Sequence, residues 1–327
     1  MLEPLGTFGN AAILIISLIA LSRASNTTIS NSVKAAELTN LTKTSIGFIL
    51  IAISTSLPEL FIAIFAVLEP LNAAVSVGNV LGSNIANVCL VLGVTLFVAS
   101  IAYKKNAKTI KEMAEEEWGS LHFGLLIASI VPLVLLYLGY ASRFVGAILL
   151  SIFVYYMYRL SRHSAKSERT RQKYRKMDLL KYIFLTILGA TIVVLCSFFI
   201  VDSASFLASS FGLPKVLIGA TVVALGTSIP ELATSLESVR KGLVNLALGN
   251  IVGSCFINIT IVLGVTLIAS PFSTEVAPFS EIAFFSLIAN LLIWYFLVNK
   301  NLGRREGLIL LLLYVLFMVV TISSLTG

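Results

Sequence analysis

Long apolar runs recur along the whole length of this chain and restrict its possible folds more than any other feature. Many runs approach the ~20 residues that a helix needs to cross the hydrocarbon core of a bilayer. Hydrophobic residues make up 57% of the 327 positions and charged residues 12%. That composition excludes a disordered chain and disfavours an ordinary soluble domain. The sequence therefore predicts an all-α polytopic membrane protein.

Ten transmembrane helices are predicted. The first is interpreted as a span and not as a signal peptide, because Glu3 stands where a signal peptide has basic residues. The polar stretch 25–44 is expected to form an amphipathic helix or to lengthen the first helix. The predicted spans are 4–22, 45–67, 73–100, 120–139, 143–160, 180–208, 214–238, 243–269, 279–298 and 307–325.

The distribution of lysine and arginine predicts the orientation. If the N-terminus lies outside, only Arg143 and Lys215 of the 23 basic residues fall on the outer side. Because basic residues concentrate in cytoplasmic loops, both termini are expected outside and the basic linker 161–178 inside, in the plasma membrane. The net charge of +7 is thus assigned to topology and not to nucleic-acid binding.

Two apolar spans carry a proline and a glutamate in nearly the same words, Ser54-Thr-Ser-Leu-Pro-Glu-Leu60 and Gly226-Thr-Ser-Ile-Pro-Glu-Leu232. A carboxylate inside an apolar span is costly, so it marks a functional site by default. Pro230 cannot donate a backbone hydrogen bond, and its ring clashes with the Gly226 carbonyl, which is expected to be freed. Carboxylate, hydroxyl and carbonyl oxygens are hard ligands, of the kind that Na⁺ and Ca²⁺ prefer.

The two halves of the chain repeat each other. The first motif recurs at a spacing of 172, and Gly78-Asn-Val-Leu-Gly-Ser83 recurs as Gly249-Asn-Ile-Val-Gly-Ser254 at a spacing of 171. Each half has five predicted spans, an odd number, so the second copy enters the membrane in the opposite sense. The predicted organisation is an inverted-topology repeat with its substrate site near the bilayer midplane. The repeats are 1–160, with motifs in 45–100, and 179–327, with motifs in 214–269.

Pseudo-symmetry can bring Glu59 and Glu231 to one central site. Two ionised glutamates balance one divalent cation, and without a cation at least one of them is expected to take up a proton. The GxxxG spacing of the second motif predicts close helix packing. A serine and an asparagine follow four residues apart in each copy, and for these polar residues cation contact and packing are equally open.

The remaining polar residues are given structural interpretations. Cys89, Cys196 and Cys255 lie in apolar runs and are interpreted as packing residues, not as a disulfide framework or a metal cluster. Glu237 is expected to form an exposed pair with Arg240 at a helix end.

These paired motifs closely resemble the α-repeats of the cation/Ca²⁺ exchanger superfamily, and in particular its prokaryotic sodium/calcium exchanger branch. The resemblance implies four cation positions between the second, third, seventh and eighth helices, with the first and sixth helices sliding across them. It implies that Glu59 and Glu231 are the main Ca²⁺ ligands and that the backbone carbonyls of Thr55 and Thr227 complete that position. The flanking Na⁺ positions and the border of the middle position would be formed by Ser56, Ser228, Ser83, Ser254, the carbonyls of Ala52 and Ala224, and Asn87 and Asn258.

Three positions depart from the pattern. Asn258 stands where some relatives carry aspartate, so no third carboxylate is expected. Ser54 and Cys255 replace the glycine and the asparagine of the other copy, and both neighbour expected ligands.

The predicted function is antiport of Na⁺ against Ca²⁺, with both ions as transported substrates, no cofactor, no enzymatic activity and a monomeric chain in lipid. An H⁺/Ca²⁺ or K⁺-dependent exchanger would use the same glutamates and is the first alternative. A cation channel is the alternative from another class, although the inverted repeat favours a transporter. An intramembrane enzyme is disfavoured because no nucleophile, histidine cluster or cofactor loop accompanies the glutamates.

Overall fold

Almost every described residue lies in a helix, as the apolar runs predict. The computed structural model describes residues 5–37, 52–68, 73–102, 118–164, 176–212, 214–240, 244–273, 276–299 and 302–326. A helix satisfies its own backbone hydrogen bonds, which is what a chain in lipid requires. The prediction of an all-α membrane protein is confirmed.

The described residues form the following helices in chain order. The first half contains α1 (Gly6–Glu37), α2 (Ala52–Thr55), α3 (Leu57–Leu68), α4 (Ala73–Ile85), a π-helical segment π1 (Ala86–Val91), α5 (Leu92–Ala102), α6 (Trp118–Leu138) and α7 (Arg143–Ser164). The second half contains α8 (Lys176–Ser210), α9 (Lys215–Ile218), π2 (Gly219–Val223), α10 (Ala224–Thr227), α11 (Ile229–Arg240), α12 (Val244–Ile257), π3 (Asn258–Val262), α13 (Leu263–Ala269), α14 (Val276–Val298) and α15 (Arg304–Thr326). A short antiparallel pair joins the halves, β1 (Tyr140–Ala141) with β2 (Phe272–Ser273).

Seven helical stretches within the described ranges are long and apolar enough to cross a membrane. They are Gly6–Ala24, Ala73–Ile101, Leu180–Ser210, Lys215–Arg240, Ala247–Ala269, Phe279–Val298 and Arg304–Ser323. Three further predicted spans coincide with shorter apolar helices, namely Leu57–Ala66, Gly124–Leu138 and Arg143–Tyr158. The predicted span 45–67 lies partly outside the described residues. The count of ten spans therefore stays a prediction.

The first helix is longer than its predicted span of 4–22, because it continues to Glu37. The alternative of a lengthened first helix is the one observed, with 38–44 outside the described residues. This polar extension packs against α8, where the Lys34 ammonium lies 5.5 Å from the ring centroid of Tyr182. This cation–π contact attaches the polar end of α1 to α8. Likewise α7 continues to Ser164 and α8 begins at Lys176, so both enter the predicted linker.

Close approach of backbones sets the centre of the fold. A Cβ atom placed on Gly78 would lie 1.9 Å from the Val216 carbonyl oxygen, and one on Gly82 would lie 2.2 Å from that of Ala220. Only glycine permits α4 to lie this close to the segment α9–π2. The packing interpretation of this GxxxG pair is confirmed.

The halves also pack in corresponding ways. Gly93 of α5 contacts the backbone of Gly307 in α15, and its repeat counterpart Gly264 of α13 contacts the backbone of Gly146 in α7. The π-helical segments π1 and π3 begin at corresponding places, next to or at the two motif asparagines. Single π turns are frequent at functional sites, and here they adjoin the cluster of buried polar residues.

Candidate cation site

Two helix interruptions hold the motif glutamates. The helix carrying Glu231 breaks at Ser228, whose φ and ψ are −82° and 0°, and restarts at Ile229. The backbone bonds that cross the break run from the Ser228 N–H to the Ala224 carbonyl (3.0 Å) and from the Leu232 N–H to the Ser228 carbonyl (3.1 Å). Pro230 gives the Gly226 carbonyl no N–H, and the Ser228 N–H, although directed partly at that carbonyl, makes its hydrogen bond to the Ala224 carbonyl. The freeing of the Gly226 carbonyl stays a prediction.

The first repeat has the same break. α2 ends at Thr55, Ser56 forms the turn and α3 restarts at Leu57. Glu59 and Glu231 each lie in the first turn of the restarted helix. The N-terminus of a helix carries a partial positive charge, so this location partly offsets the cost of a buried carboxylate.

Both glutamates are completely buried, with a relative exposure of 0% for each. Neither oxygen of either carboxyl group has a hydrogen-bond partner. The hydroxyl groups of Thr227 and Ser83 lie beside Glu59 without hydrogen-bonding geometry, and those of Thr55 and Ser254 lie beside Glu231 in the same way. The two carboxyl groups are also near enough for their charges to interact. The arrangement leaves four carboxyl oxygens facing a shared polar interior.

Hydroxyl bonds join the two repeats on either side of this interior. The Thr55 and Ser254 hydroxyl oxygens are 3.0 Å apart. The Ser83 and Thr227 hydroxyl oxygens are 3.2 Å apart. Each bond pairs the threonine of one first motif with the serine of the other repeat's second motif, so the two bonds are related by the pseudo-symmetry.

Sequence reasoning missed two asparagines that belong to this network. The Thr227 hydroxyl donates to Asn79 Oδ1 at 3.2 Å, and the Thr55 hydroxyl donates to Asn250 Oδ1 at 3.3 Å. Both asparagines are fully buried. They follow the first glycine of the second motif in each copy. Their matched positions in the repeat were the signal that could have identified them.

The four expected serine ligands are all buried. The hydroxyl groups of Ser56 and Ser228, in the two turns, have no hydrogen-bond partner. Ser83 and Ser254 are held by the threonines described above. The expected ligand carbonyls belong to Ala52, at the start of α2, and Ala224, at the start of α10. The Ala224 carbonyl also accepts the Ser228 N–H and the Thr227 hydroxyl (3.3 Å).

The middle of the site is lined by amides and not by a third carboxylate. Asn87 is fully buried and neither atom of its amide has a hydrogen-bond partner. The Asn258 Nδ2 atom donates to Asn84 Oδ1 at 3.4 Å, while its own Oδ1 atom has no partner. The Asn84 Nδ2 atom donates to the backbone carbonyl of Cys255 at 3.4 Å. Asn84 therefore holds the Asn258 amide with its nitrogen occupied and its oxygen available.

Of the other candidate groups, Cys255 adjoins this site, since its thiol donates to the Asn84 backbone carbonyl at 3.9 Å, and Glu237 lies apart from it. Cys89, Cys196 and Cys255 are buried free thiols. No group of three or more His, Cys, Asp or Glu side chains in the described ranges is arranged to hold a metal ion. Glu237 is exposed and lies 3.9 Å from Arg240, as expected of a helix-end pair. The chemistry of the interior is that of two carboxylates with neutral oxygens, which suits a hard cation of low charge.

A profile of the sodium/calcium exchanger protein family matches residues 9–162 and 181–323, most of the chain. The chain belongs to the sodium/calcium exchanger family. Within this family, the sodium/calcium exchanger MaX1 of Methanosarcina acetivorans is 28% identical over 95% of this chain and 98% of its own length. The putative antiporter CaxA of Alkalimonas amylolytica is 30% identical over 87% of this chain and 90% of its own.

Solved structures of exchangers share the fold of this family member. The sodium-calcium exchanger NCX_Mj, soaked with Na⁺ and Sr²⁺, matches with a TM-score of 0.64 at 25% identity, over 96% of this chain and 99% of that one. The H⁺/Ca²⁺ exchanger CAX matches with a TM-score of 0.73 at 17% identity, over 95% of this chain and 82% of that one. At that identity the second match concerns the fold alone.

Proposed function

We propose that this protein is a secondary active antiporter that exchanges Na⁺ for Ca²⁺ across the membrane at the site between the two repeats. The observation that carries the proposal is the pair of fully buried glutamates whose four carboxyl oxygens have no hydrogen-bond partner. An unpaired buried carboxylate is very costly. A cation bound between Glu59 and Glu231 removes that cost for both groups at once.

The oxygen donors favour Ca²⁺ and Na⁺ over softer metals. The proposed Ca²⁺ position uses the carboxylates of Glu59 and Glu231 and the backbone carbonyls of Thr55 and Thr227. The proposed Na⁺ positions and the middle position use Ser56, Ser83, Ser228, Ser254, the carbonyls of Ala52 and Ala224, and Asn87 and Asn258. Both ions prefer oxygen, and the glutamates are shared between them, so binding of one ion weakens binding of the other. That competition is what couples the two fluxes.

The proposed architecture is ten transmembrane helices in two inverted five-helix repeats. The protein is placed in the plasma membrane, with both termini outside the cell and the linker between the repeats in the cytoplasm. Corresponding packing of Gly93 with Gly307 and of Gly264 with Gly146 supports the repeat. The bias of basic residues supports the orientation.

Na⁺ is proposed as the driving ion for two reasons. The flanking positions are formed by serine hydroxyls, which are neutral oxygen ligands suited to Na⁺. The middle position has Asn258 in place of a carboxylate, so it offers no additional proton carrier. An H⁺/Ca²⁺ exchanger would use Glu59 and Glu231 as the proton carriers, and a channel would need no counter-ion.

Flux measurements in proteoliposomes test the proposal. We expect radioactive Ca²⁺ to accumulate against its gradient when Na⁺ is loaded inside, and to stop accumulating when Na⁺ is replaced by an impermeant cation. Accumulation that follows a pH gradient and ignores Na⁺ would establish the H⁺/Ca²⁺ exchanger instead. Downhill Ca²⁺ flux without any counter-ion would establish a channel.

A matched pair of variants tests the site. Glu231→Gln removes a proposed ligand charge and is expected to abolish Na⁺-dependent Ca²⁺ uptake. Glu237→Gln makes the same change on the same helix at an exposed position beside Arg240, and is expected to leave uptake unchanged. Equal uptake by both variants would refute the shared-glutamate site.

A further inference from the structure

Two asparagines lie behind the proposed ligands and have no assigned role in cation binding. Asn79 Oδ1 accepts the Thr227 hydroxyl at 3.2 Å and faces the Ser83 hydroxyl at 3.5 Å. Asn250 Oδ1 accepts the Thr55 hydroxyl at 3.3 Å. Each threonine in turn is bonded to a serine beside one of the glutamates, Ser83 near Glu59 and Ser254 near Glu231.

The direction of these hydrogen bonds follows from the amide carbonyl, which can only accept. The Thr227 hydrogen is shared between Asn79 Oδ1 (3.2 Å) and the Ala224 carbonyl (3.3 Å), neither of which can donate. The Thr227 oxygen is therefore left to accept the hydrogen of Ser83. Two acceptors lie within hydrogen-bonding distance of the Ser83 hydroxyl on the side away from the proposed ligand position, the Thr227 oxygen (3.2 Å) and Asn79 Oδ1 (3.5 Å), and both draw its hydrogen to that side. The lone pairs of the Ser83 oxygen then remain for the interior of the site.

A cation needs those lone pairs and is repelled by a hydroxyl hydrogen. Ser83 lies beside Glu59, so in the absence of a cation its hydrogen has a competing acceptor in the carboxylate. When a cation occupies the carboxylate, that hydrogen must turn away. The Thr227 oxygen and Asn79 Oδ1 supply the acceptors for it.

We propose that Asn79 and Asn250 are positioning residues that fix the direction of the two serine–threonine hydroxyl chains and so stabilise the cation-loaded site. This inference rests on the proposed cation exchange and concerns the same site. Neither asparagine needs to contact a cation, because each acts through a threonine and a serine.

The two asparagines differ in how their amides are held. The Asn250 Nδ2 atom donates to the Ser235 hydroxyl oxygen at 3.3 Å, which fixes the amide with its carbonyl towards Thr55. The repeat counterpart of Ser235 is Ala63, which is fully buried, and the Asn79 Nδ2 atom has no hydrogen-bond partner. The hydroxyl chain of Asn250 is therefore anchored at both ends, while that of Asn79 is anchored at one.

Ca²⁺ binding to the purified full chain, measured by calorimetric titration at several Na⁺ concentrations, tests this inference. We expect Asn79→Leu, of similar size but without an acceptor, to raise by about tenfold both the Ca²⁺ dissociation constant and the Na⁺ dissociation constant obtained from the competition. Ser235→Ala is expected to raise them by about threefold, because it frees the Asn250 amide to rotate. Ala63→Ser supplies the missing partner for Asn79 and is expected to lower them.

Ser238→Ala is the control, since its hydroxyl lies on the same helix but donates to its own backbone at Thr234 (2.8 Å). It is expected to bind both ions like the unmodified chain. Ser235→Ala provides a second test in case Asn79→Leu does not fold. It is expected to fold, because the corresponding position of the first repeat, Ala63, already holds alanine.

The outcomes separate the two proposals. If the unmodified chain binds Ca²⁺ but does not exchange it for Na⁺, the proposed function fails while the binding comparison still decides the role of the asparagines. If Asn79→Leu melts at the unmodified temperature and both it and Ser235→Ala bind ions with unmodified constants, the positioning role is overturned. If Asn79→Leu does not fold, unchanged binding by Ser235→Ala and Ala63→Ser overturns it. An unmodified chain that binds no Ca²⁺ removes both proposals.

Discussion

Replacing Gly82 with alanine tests whether the close contact between the repeats sets the geometry of the site. The added Cβ atom would lie 2.2 Å from the oxygen, 2.4 Å from the Cα and 2.6 Å from the carbonyl carbon of Ala220. All three atoms belong to the backbone, so no side-chain rotation relieves the collision. Ordinary contact begins near 3.4 Å, and the two segments must therefore separate by about 1 Å.

The energetic cost can be estimated from two opposing effects. Alanine in a helix gains about 1 kcal/mol over glycine in intrinsic propensity. Overpacking of a tight interior costs about 1–3 kcal/mol and sometimes more, and relief by backbone movement belongs at the upper end. The net expectation is a destabilisation of about 2 kcal/mol.

The same movement affects the site. Ser83 directly follows Gly82, and its hydroxyl oxygen lies 3.2 Å from that of Thr227 across this contact. A separation of about 1 Å takes the pair beyond hydrogen-bonding distance. We therefore expect Gly82→Ala to weaken Ca²⁺ binding by about tenfold, the effect of losing a buried hydrogen bond.

The loss of stability is measured by thermal denaturation in detergent, with size-exclusion chromatography as the readout of folded protein. The loss of Ca²⁺ affinity is measured by Ca²⁺ titration. Gly124→Ala is the matched control, because its added Cβ would first meet the Val252 side chain, at 3.1 Å, which can give way by rotation. The control is expected to melt and bind like the unmodified chain. A Gly82→Ala protein with an unmodified melting temperature would refute the packing argument, and unmodified Ca²⁺ binding would refute the link between packing and site.

Further substitutions probe other contacts. A Cβ atom on Gly226 would lie 2.2 Å from the Leu18 Cδ2 atom, so Gly226→Ala should slow Ca²⁺ exchange in proteoliposomes, and adding Leu18→Ala should restore it; failure of this rescue would contradict the contact. Ser76→Ala removes a 2.8 Å bond to the Thr266 hydroxyl and should lower stability by about 1 kcal/mol, seen as a lower melting temperature, with no change expected if the pair is unformed in lipid. Glu59→Gln should abolish Na⁺-dependent Ca²⁺ uptake without unfolding the chain, and residual coupled uptake would oppose its role as a ligand.

The positions of the site residues were largely predictable because the sequence states the motifs twice. A carboxylate beside a proline in an apolar span is anomalous on its own, and its repetition at Glu59 and Glu231 indicated a shared site. The glycine packing was predictable for the same reason, since GxxxG spacing has a direct geometric meaning. The GxxxG pattern, whose spacing has a direct geometric meaning, is therefore found in the structure as a close helix contact.

Features that depend on which side chain meets which were not predictable. The spacing of the motifs within one repeat does not show that Thr55 bonds to Asn250 and not to Asn79. Each threonine–asparagine bond joins one repeat to the other. The amide directions of Asn84 and Asn258 depend on partners 174 residues apart in the chain. The length of α1 was also ambiguous, since its polar extension follows no apolar pattern, and its contact with α8, Lys34 on Tyr182, joins residues far apart in the chain.

The cross-repeat bonds limit which parts of the molecule can move if access to the site alternates. Thr55 with Ser254, and Thr227 with Ser83, tie the motif helices of the two repeats together inside the core. Separating these helices would expose buried hydroxyls and both glutamates to lipid without partners, which is costly. By contrast, α1 and α8 pack mainly on each other and meet the motif helices through apolar side chains such as Leu18 on Gly226. Apolar contacts are non-directional and can slide at little cost. We therefore expect α1 and α8 to move across a motif core that stays intact, and the Gly226 substitution to affect the rate of exchange more than the binding of ions.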